Sequence, residues 1–183
     1  MPGVPTIALE LLPGFDTLPT IEENAPTFAE NAAGKALHYS RFCEGLVFAD
    51  DSGLVVPSLG GAPGVLSARY AGPGASSAER NAKLLRELRG KSGGERAAHF
   101  VCAIALAERG RAKAIVTACV DGEILEASRG NGGFGYDPVF YVSALGKGFA
   151  EISAEEKNKY SHRGRAFRKL LAFLSYDTLT GQP

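Results

Sequence analysis

Two long apolar segments in the second half of the chain place the strongest constraint on its fold. Residues 98–107 and 112–120 are rich in small and β-branched side chains, and the tripeptide Arg109-Gly110-Arg111 marks the break between them. A short polar break between two apolar segments predicts an antiparallel β-hairpin. Shorter apolar segments at residues 6–12, 45–49 and 139–142 are predicted to be further strands.

Four helices are predicted between these strands. At three of the predicted helix starts a Ser or Thr is followed three positions later by Glu, which is the pattern of a helix N-cap. These pairs are Thr27 with Glu30, Ser76 with Glu79, and Ser153 with Glu156. They begin predicted helices at residues 27–43, 76–88 and 153–160, and Ser161 is predicted to cap a last helix. Because helices and strands interleave without strict alternation, the sequence predicts an α/β fold with a mixed sheet.

Length and composition limit the class of protein. With 183 residues the chain is predicted to form a single domain, residues 1–183. Its formal net charge is zero, which argues against a general electrostatic attraction to nucleic acid or to an anionic membrane. No apolar run approaches the roughly 20 residues that span a bilayer. We therefore expect neither a nucleic-acid partner nor a membrane partner.

The three cysteines, Cys43, Cys102 and Cys119, are far apart and form no CxxC pair. This pattern predicts reduced thiols in a cytoplasmic protein, and argues against a disulfide framework or a zinc site. Cys102 and Cys119 fall in apolar segments, so both are predicted to be buried.

Asp50 and Asp51 are the first candidate functional residues. They are predicted to end the strand at residues 45–49, with Ser52-Gly53 breaking the strand pattern. One interpretation is a polar turn in which an aspartate caps a backbone amide. The other is that Glu30 and the two aspartates hold Mg²⁺, and that one carboxylate acts as the base for a water attacking phosphorus.

Two further groups of residues could bind an anionic, aromatic ligand. The loop at residues 130–137 contains four glycines around Asn131 and Phe134, so the backbone can approach a ligand closely and Phe134 offers a flat face for stacking. Lys157, His162 and Arg163 place donors around a predicted helix start. For the loop, the alternative is a strained turn whose aromatic side chain packs in the core. For Lys157, His162 and Arg163, the alternative is a basic helix end that faces solvent.

Five further patterns occur in order along the chain. They are Thr27-Phe28-Ala29-Glu30-Asn31-Ala32 with Lys35, Ala49-Asp50-Asp51-Ser52-Gly53, Gly60-Gly61-Ala62-Pro63-Gly64 with Ser67-Ala68-Arg69-Tyr70, Gly133-Phe134-Gly135-Tyr136-Asp137-Pro138, and Glu155-Glu156-Lys157 before Ser161-His162-Arg163-Gly164. In order and spacing these motifs resemble one family, the inosine triphosphatases, which hydrolyse non-standard purine nucleoside triphosphates. The resemblance runs from about Glu22 to Leu174.

The resemblance implies an elongated, two-lobed α/β fold with a mixed sheet and a cleft between the lobes, in a homodimer. It implies that ITP, dITP, XTP and dXTP are converted to the monophosphate and pyrophosphate with Mg²⁺. Asp51 would be the proton acceptor, and Glu30, Asp50 and Asp51 would hold the metal. The implied substrate-binding residues are Ser52, Phe134, Gly135, Tyr136, Asp137, Lys157, His162 and Arg163. Phe134 would stack on the base, and His162 and Arg163 would contact its keto edge.

The chain differs from the family at its N-terminus. The family is expected to open with a strand, a turn bearing a lysine that grips the triphosphate, and a helix, whereas the first lysine here is Lys35. The resemblance thus predicts that this segment is absent. The alternative function is a catalytically impaired, nucleotide-binding remnant.

Overall fold

The computed structural model describes residues 7–180, with side chains described for residues 7–176. Its α-helices are α1 (Phe28–Tyr39), α2 (Ser77–Glu87), α3 (Ala154–Tyr160) and α4 (His162–Thr180). Its strands are β1 (Leu46–Val55), β2 (Ala97–Glu108), β3 (Arg111–Ile124), β4 (Phe140–Val142) and β5 (Lys147–Gly148). In this part of the chain, no helix is long and apolar enough to cross a membrane.

The strands form one sheet in the order β1-β2-β3-β4-β5. β2 and β3 are joined by Arg109 and Gly110, whose φ angles of 48° and 74° are both positive, as the tightest hairpin turns require. β4 runs antiparallel to β3, with Glu123 opposite Tyr141, and β5 runs antiparallel to β4. The predicted hairpin is therefore confirmed.

The strand predicted to end before Asp50 instead continues to Val55. β1 passes through Asp50-Asp51-Ser52-Gly53 without a break, because strand pairing with β2 satisfies its backbone whatever side chains it carries. Successive side chains of a strand point to opposite faces of the sheet. Asp50 and Asp51 are thus directed apart, and the prediction of a turn at this point is wrong.

One other strand prediction needs correction. Residues 7–12 have no regular secondary structure and are not among the five strands, while Thr6 lies outside the described residues. Strand β3 continues through Asp121-Gly122 to Ile124. Gly122 is needed there because a Cβ would overlap the Tyr141 carbonyl oxygen of β4.

The helix starts follow the predicted caps. The hydroxyls of Thr27, Ser76 and Ser153 each accept a hydrogen bond from the backbone N–H three residues later. In α2, Glu79 also accepts from the Ser76 N–H, which completes a capping box. The first helix ends at Tyr39, four residues before the predicted end at Cys43.

The chain divides into two compact units. Unit 1 contains residues 1–51, 103–117 and 166–183, and unit 2 contains residues 52–102 and 118–165. That residues 1–183 behave as a single domain stays a prediction.

Each unit has its own core. In unit 1, Ala32 and Ala36 of α1 pack against the alanines on one face of β2, Ala103, Ala105 and Ala107. In unit 2, the core joins α2 to the sheet through Leu84, Leu88, Phe100, Phe140 and Phe149, with many smaller side chains. Cys102 is buried as predicted. Cys119 is exposed, since it lies on the outward face of β3, and that prediction is wrong.

Candidate functional site

In unit 1, the first turn of α1 lies against Asp51. Asn31 Nδ2 donates a hydrogen bond to Asp51 Oδ2 at 3.2 Å, and Lys35 Nζ donates to Asp51 Oδ1 at 3.4 Å. Asn31 and Lys35 are four residues apart, so they project from the same face of the helix. Helix α1 therefore holds both carboxylate oxygens of Asp51.

Asn31 and Lys35 are in turn held by the chain that precedes the helix. Asn31 is only 5% exposed, and its side chain exchanges two hydrogen bonds with the backbone of Ala25. Lys35 Nζ also donates to Glu23 Oε2 at 2.7 Å. The sequence analysis assigned no role to Asn31 or Lys35. Their spacing of four residues on one predicted helix, next to Glu30, indicates that the two side chains face the same site.

The surroundings of Asp51 change its proton affinity. Its side chain is 15% exposed, and burial raises the pKa of the carboxyl above its ordinary value of 3.8. The Lys35 ammonium and the Asn31 amide act in the opposite direction, and the Glu23 carboxylate raises the pKa further. A carboxylate with a raised pKa binds a proton more readily, which suits a general base.

Glu30 and Asp50 differ from Asp51 in their surroundings. Glu30 is exposed in the first turn of α1, where the Thr27 hydroxyl donates to its Oε2 at 2.7 Å. Asp50 lines a separate cavity in unit 1, formed mostly by apolar side chains. Asn31 places Asp51 beside the helix turn that carries Glu30, whereas Asp50 points to the other face of β1.

The donor set in unit 1 fits a hard divalent cation. Glu23 and Asp51 share the single Lys35 ammonium, which leaves the group with a negative charge. Among the described residues no cluster of three or more His, Cys, Asp or Glu side chains forms a metal cage. Mg²⁺ in phosphate-processing sites is held by one or two carboxylates, with waters and phosphate oxygens completing its shell. The residues present are compatible with such an open site.

In unit 2, one cavity of about 160 Å³ brings together every residue predicted to bind substrate. Its lining also contains Phe100 and Arg80, which the sequence analysis did not select. The predicted residues in its wall are Ser52, Phe134, Gly135, Tyr136, Asp137, Lys157, His162 and Arg163.

The glycine-rich loop is held in shape by buried polar groups. The Phe134 N–H donates to Asp137 Oδ2 at 2.7 Å, and Asn81 Nδ2 donates to the Gly135 carbonyl at 3.1 Å. Gly133 has φ of +72°, and a Cβ there would overlap the Asp137 carboxylate. The positive φ and the lack of room for a Cβ explain why residue 133 is a glycine.

A buried ion pair anchors the basic side of the cavity. Lys157 Nζ donates to Asp137 Oδ2, and the two side chains are 11% and 2% exposed. The same ammonium lies 4.1 Å from the ring centroid of Phe134. Phe134 itself is 62% exposed, so its ring is a large aromatic surface available to a ligand.

The start of α4 explains the Ser-His-Arg-Gly motif. The Ser161 hydroxyl accepts a hydrogen bond from the Gly164 N–H at 3.1 Å and so caps the helix. A Cβ at Gly164 would overlap the Asn158 carbonyl oxygen, which makes glycine necessary where α3 meets α4. His162 and Arg163 are thereby fixed at the cavity wall, and the Arg163 guanidinium lies 5.5 Å from the Phe134 ring centroid.

The acidic residues thus lie in unit 1 and the residues of the cavity in unit 2. That one ligand contacts both groups in a cleft between lobes stays a prediction.

Comparison with known proteins decides the family. The sequence profile that describes the Ham1 family matches residues 4–173. The chain belongs to the Ham1 family. This confirms the resemblance found in the sequence.

Curated relatives of the Ham1 family are similar over most of the chain. A protein of Geobacillus kaustophilus, named dITP/XTP pyrophosphatase, is 53% identical over 90% of this chain and 80% of its own length. A protein of Gloeobacter violaceus with the same name is 53% identical over 86% of this chain and 78% of its own length.

A solved Ham1 structure supports the fold. The HAM1 protein from Coxiella burnetii is 44% identical and superposes with a TM-score of 0.82, over 87% of this chain and 82% of that protein. The predicted α/β fold of this family is therefore confirmed.

Proposed function

We propose that this Ham1-family chain hydrolyses dITP, ITP, XTP and dXTP to the nucleoside monophosphate and pyrophosphate, and so removes these nucleotides from the pool. The observation that carries the proposal is the 53% identity to two relatives named dITP/XTP pyrophosphatase. The cavity in unit 2, which contains an exposed aromatic ring and three cationic or donor side chains, supports it.

Asp51 is the proposed general base. Its raised pKa and its fixed carboxylate oxygens support this role, because a base must both bind the proton and face the attacking water. The water oxygen forms a bond to the α-phosphorus, and the bond from that phosphorus to the bridging oxygen breaks. The proton of the water passes to Asp51, and pyrophosphate leaves.

Glu30 and Asp51 are the proposed ligands of Mg²⁺. Asp50, which the family resemblance also implied as a ligand, points to the other face of β1 and is not proposed to hold the same ion. When bound, Mg²⁺ supplies charge neutralisation at the phosphate oxygens. Lys35 adds a second positive charge beside Asp51 and limits the mutual repulsion of the carboxylates.

The purine is proposed to bind in the unit 2 cavity. Phe134 stacks on the base, while Ser52, Gly135 and Tyr136 form the wall around it. Lys157, which is held by Asp137, lies in the cavity wall and is proposed to contact the ligand. His162 and Arg163 donate to the keto oxygen of hypoxanthine or xanthine. Adenine presents an amino group at that position, so it would leave these donors unpaired and bind less well.

The test is to incubate the protein with dITP or dATP and to measure pyrophosphate and orthophosphate separately, with Mg²⁺ and with EDTA. We expect pyrophosphate from dITP only, and only with Mg²⁺. Asp51→Asn should abolish turnover, whereas Glu44→Gln, which alters a carboxylate that is 93% exposed, is the matched control and should leave it unchanged.

Two outcomes would contradict the proposal. Release of orthophosphate alone would mean that a different phosphorus is attacked. Binding of dITP without release of pyrophosphate would favour the nucleotide-binding alternative instead.

We also propose a cytoplasmic homodimer of single-domain chains. The family resemblance and the nucleotide substrate support this assignment. Light scattering coupled to size-exclusion chromatography measures the assembly directly, and a monomer at micromolar concentration would contradict it.

A further inference from the structure

The His162 ring lies flat on the ring of Phe100. The two ring centroids are 4.7 Å apart and the rings are inclined by only 7°. His162 is the first residue of α4, Phe100 lies in β2, and the two are 5% and 6% exposed. Both line the cavity of unit 2. Phe100 therefore forms the surface on which His162 rests.

Phe100 is itself fixed by the core of unit 2. Its ring packs on Phe140 at 4.6 Å and on Phe149 at 6.2 Å between centroids, and Phe140 and Phe149 are fully buried. Closely packed interiors allow little movement of such rings. The orientation of Phe100 is thus set by the core and is passed on to the His162 ring.

The plane of an imidazole decides where its hydrogen bonds point. Both ring nitrogens donate or accept in the plane of the ring, and a hydrogen bond weakens steeply as it leaves a linear arrangement. A ring that stacks on Phe100 presents its edge, and not its face, to whatever occupies the cavity.

We propose that Phe100 is a positioning residue for base discrimination. By fixing the plane of the His162 ring, it aligns the ring N–H with the keto oxygen of the purine. This inference rests on the proposed function, since it assigns selectivity of the same site to a residue that does not itself contact the keto oxygen.

The experiment compares phenylalanines of two separate aromatic contacts. Phe100→Leu removes the ring under His162. Phe48→Leu removes a ring of unit 1 that packs on Phe167 at 5.2 Å between centroids, whereas Phe100 and His162 belong to unit 2, and it serves as the matched control. For each variant, kcat/KM is measured for dITP and for dATP, and the unfolding temperature is recorded.

We expect Phe100→Leu to lower the ratio of kcat/KM for dITP to that for dATP by about five- to tenfold, the effect of losing one aromatic pair. Phe48→Leu should also lower the unfolding temperature, yet keep the ratio within about twofold of wild type. Phe100→Tyr, which retains an aromatic face, should keep the ratio as well.

A double-mutant cycle separates positioning from general destabilisation. If Phe100 acts through His162, then Phe100→Leu should lower the ratio in the wild type but not in the His162→Ala background. An equal loss in both backgrounds would overturn the inference, as would an unchanged ratio in Phe100→Leu. Should Phe100→Leu fail to fold, Phe100→Met replaces it, because its flexible side chain fills the space without a ring.

The failure of this inference is distinct from the failure of the proposed function. A wild-type protein that releases no pyrophosphate from dITP, or does not prefer dITP to dATP, contradicts the proposed function. If the wild type and the Phe100→Leu variant prefer dITP to dATP to the same extent, only the proposed role of Phe100 is contradicted.

Discussion

Lys157 donates a hydrogen bond to Asp137 inside unit 2, where the two side chains are only 11% and 2% exposed. Removing one member of a buried pair leaves the other charge without compensation, at a cost of about 3–5 kcal/mol. Asp137 also accepts from the Phe134 N–H, so the pair connects α3 to the glycine-rich loop. Its integrity therefore affects both stability and the shape of the cavity.

The first prediction concerns this pair. We expect Lys157→Met and Asp137→Asn each to lower the free energy of unfolding by about 3 kcal/mol, with the double variant losing much less than the sum. Urea denaturation measures the free energy of unfolding of the two single variants and of the double variant. Lys159→Met is the control, since its exposed pair with Glu155 should be worth less than about 1 kcal/mol. Additive losses in the double variant would contradict a direct interaction.

The second prediction uses two glycines of one loop. Gly133 and Gly135 have φ of +72° and +62°, but only at Gly133 would a Cβ overlap a neighbour, the Asp137 carboxylate. Gly135→Ala should therefore cost only the backbone strain, about 1–2 kcal/mol. Gly133→Ala should cost more and should weaken nucleotide binding, because Asp137 must move. Calorimetric titration with dIMP and thermal unfolding are the measurements, and equal losses in the two variants would contradict this explanation.

Local sequence signals predicted the local structure well. The N-caps at Thr27, Ser76 and Ser153 are satisfied within three residues, so the side chains that define each helix start are visible in the sequence. The hairpin at Arg109-Gly110 is defined in the same way by a two-residue turn. Each of these elements is therefore marked by residues that lie close together in the sequence.

Elements that depend on distant partners were predicted less well. Asp50 to Gly53 have a turn-like composition, yet they lie in β1 because β2 pairs with them. Tertiary pairing outweighs local preference in such strands.

The candidate site shows the same difference between features set by neighbouring residues and features set by distant ones. Its motifs identified eight of the residues that line the unit 2 cavity, because each motif is contiguous. The sequence did not reveal that Asn31 holds Asp51 or that Phe100 lies under His162, since these contacts join residues far apart in the chain.

The third prediction concerns stability and pH. Burial raises the pKa of Asp51 above 3.8, so the folded protein binds this proton more tightly than the unfolded chain does. Ionisation of Asp51 therefore opposes folding above the raised pKa, and this penalty disappears as the pH falls below 3.8. Asp51→Asn should increase the free energy of unfolding near neutral pH and lose that advantage in acid. Urea denaturation of the metal-free protein across this pH range is the measurement. An Asp51→Asn variant that is less stable at neutral pH would contradict the prediction.

The fourth prediction follows from the position of Lys35. Its ammonium lowers the pKa of Asp51, in opposition to burial, and it donates to both Asp51 and Glu23. Lys35→Met should therefore raise the pKa of Asp51 further. If Asp51 is the base, the acid limb of the kcat/KM profile for dITP should move to higher pH in this variant, because the base is active only when ionised. NMR titration of the Asp51 carboxyl carbon in the metal-free protein should show the same shift. Lys113→Met is the matched control, since it removes a lysine that pairs with Glu108 and should leave the limb in place. A shifted Asp51 titration with an unmoved acid limb would assign the kinetic limb to another group and remove Asp51 as the base.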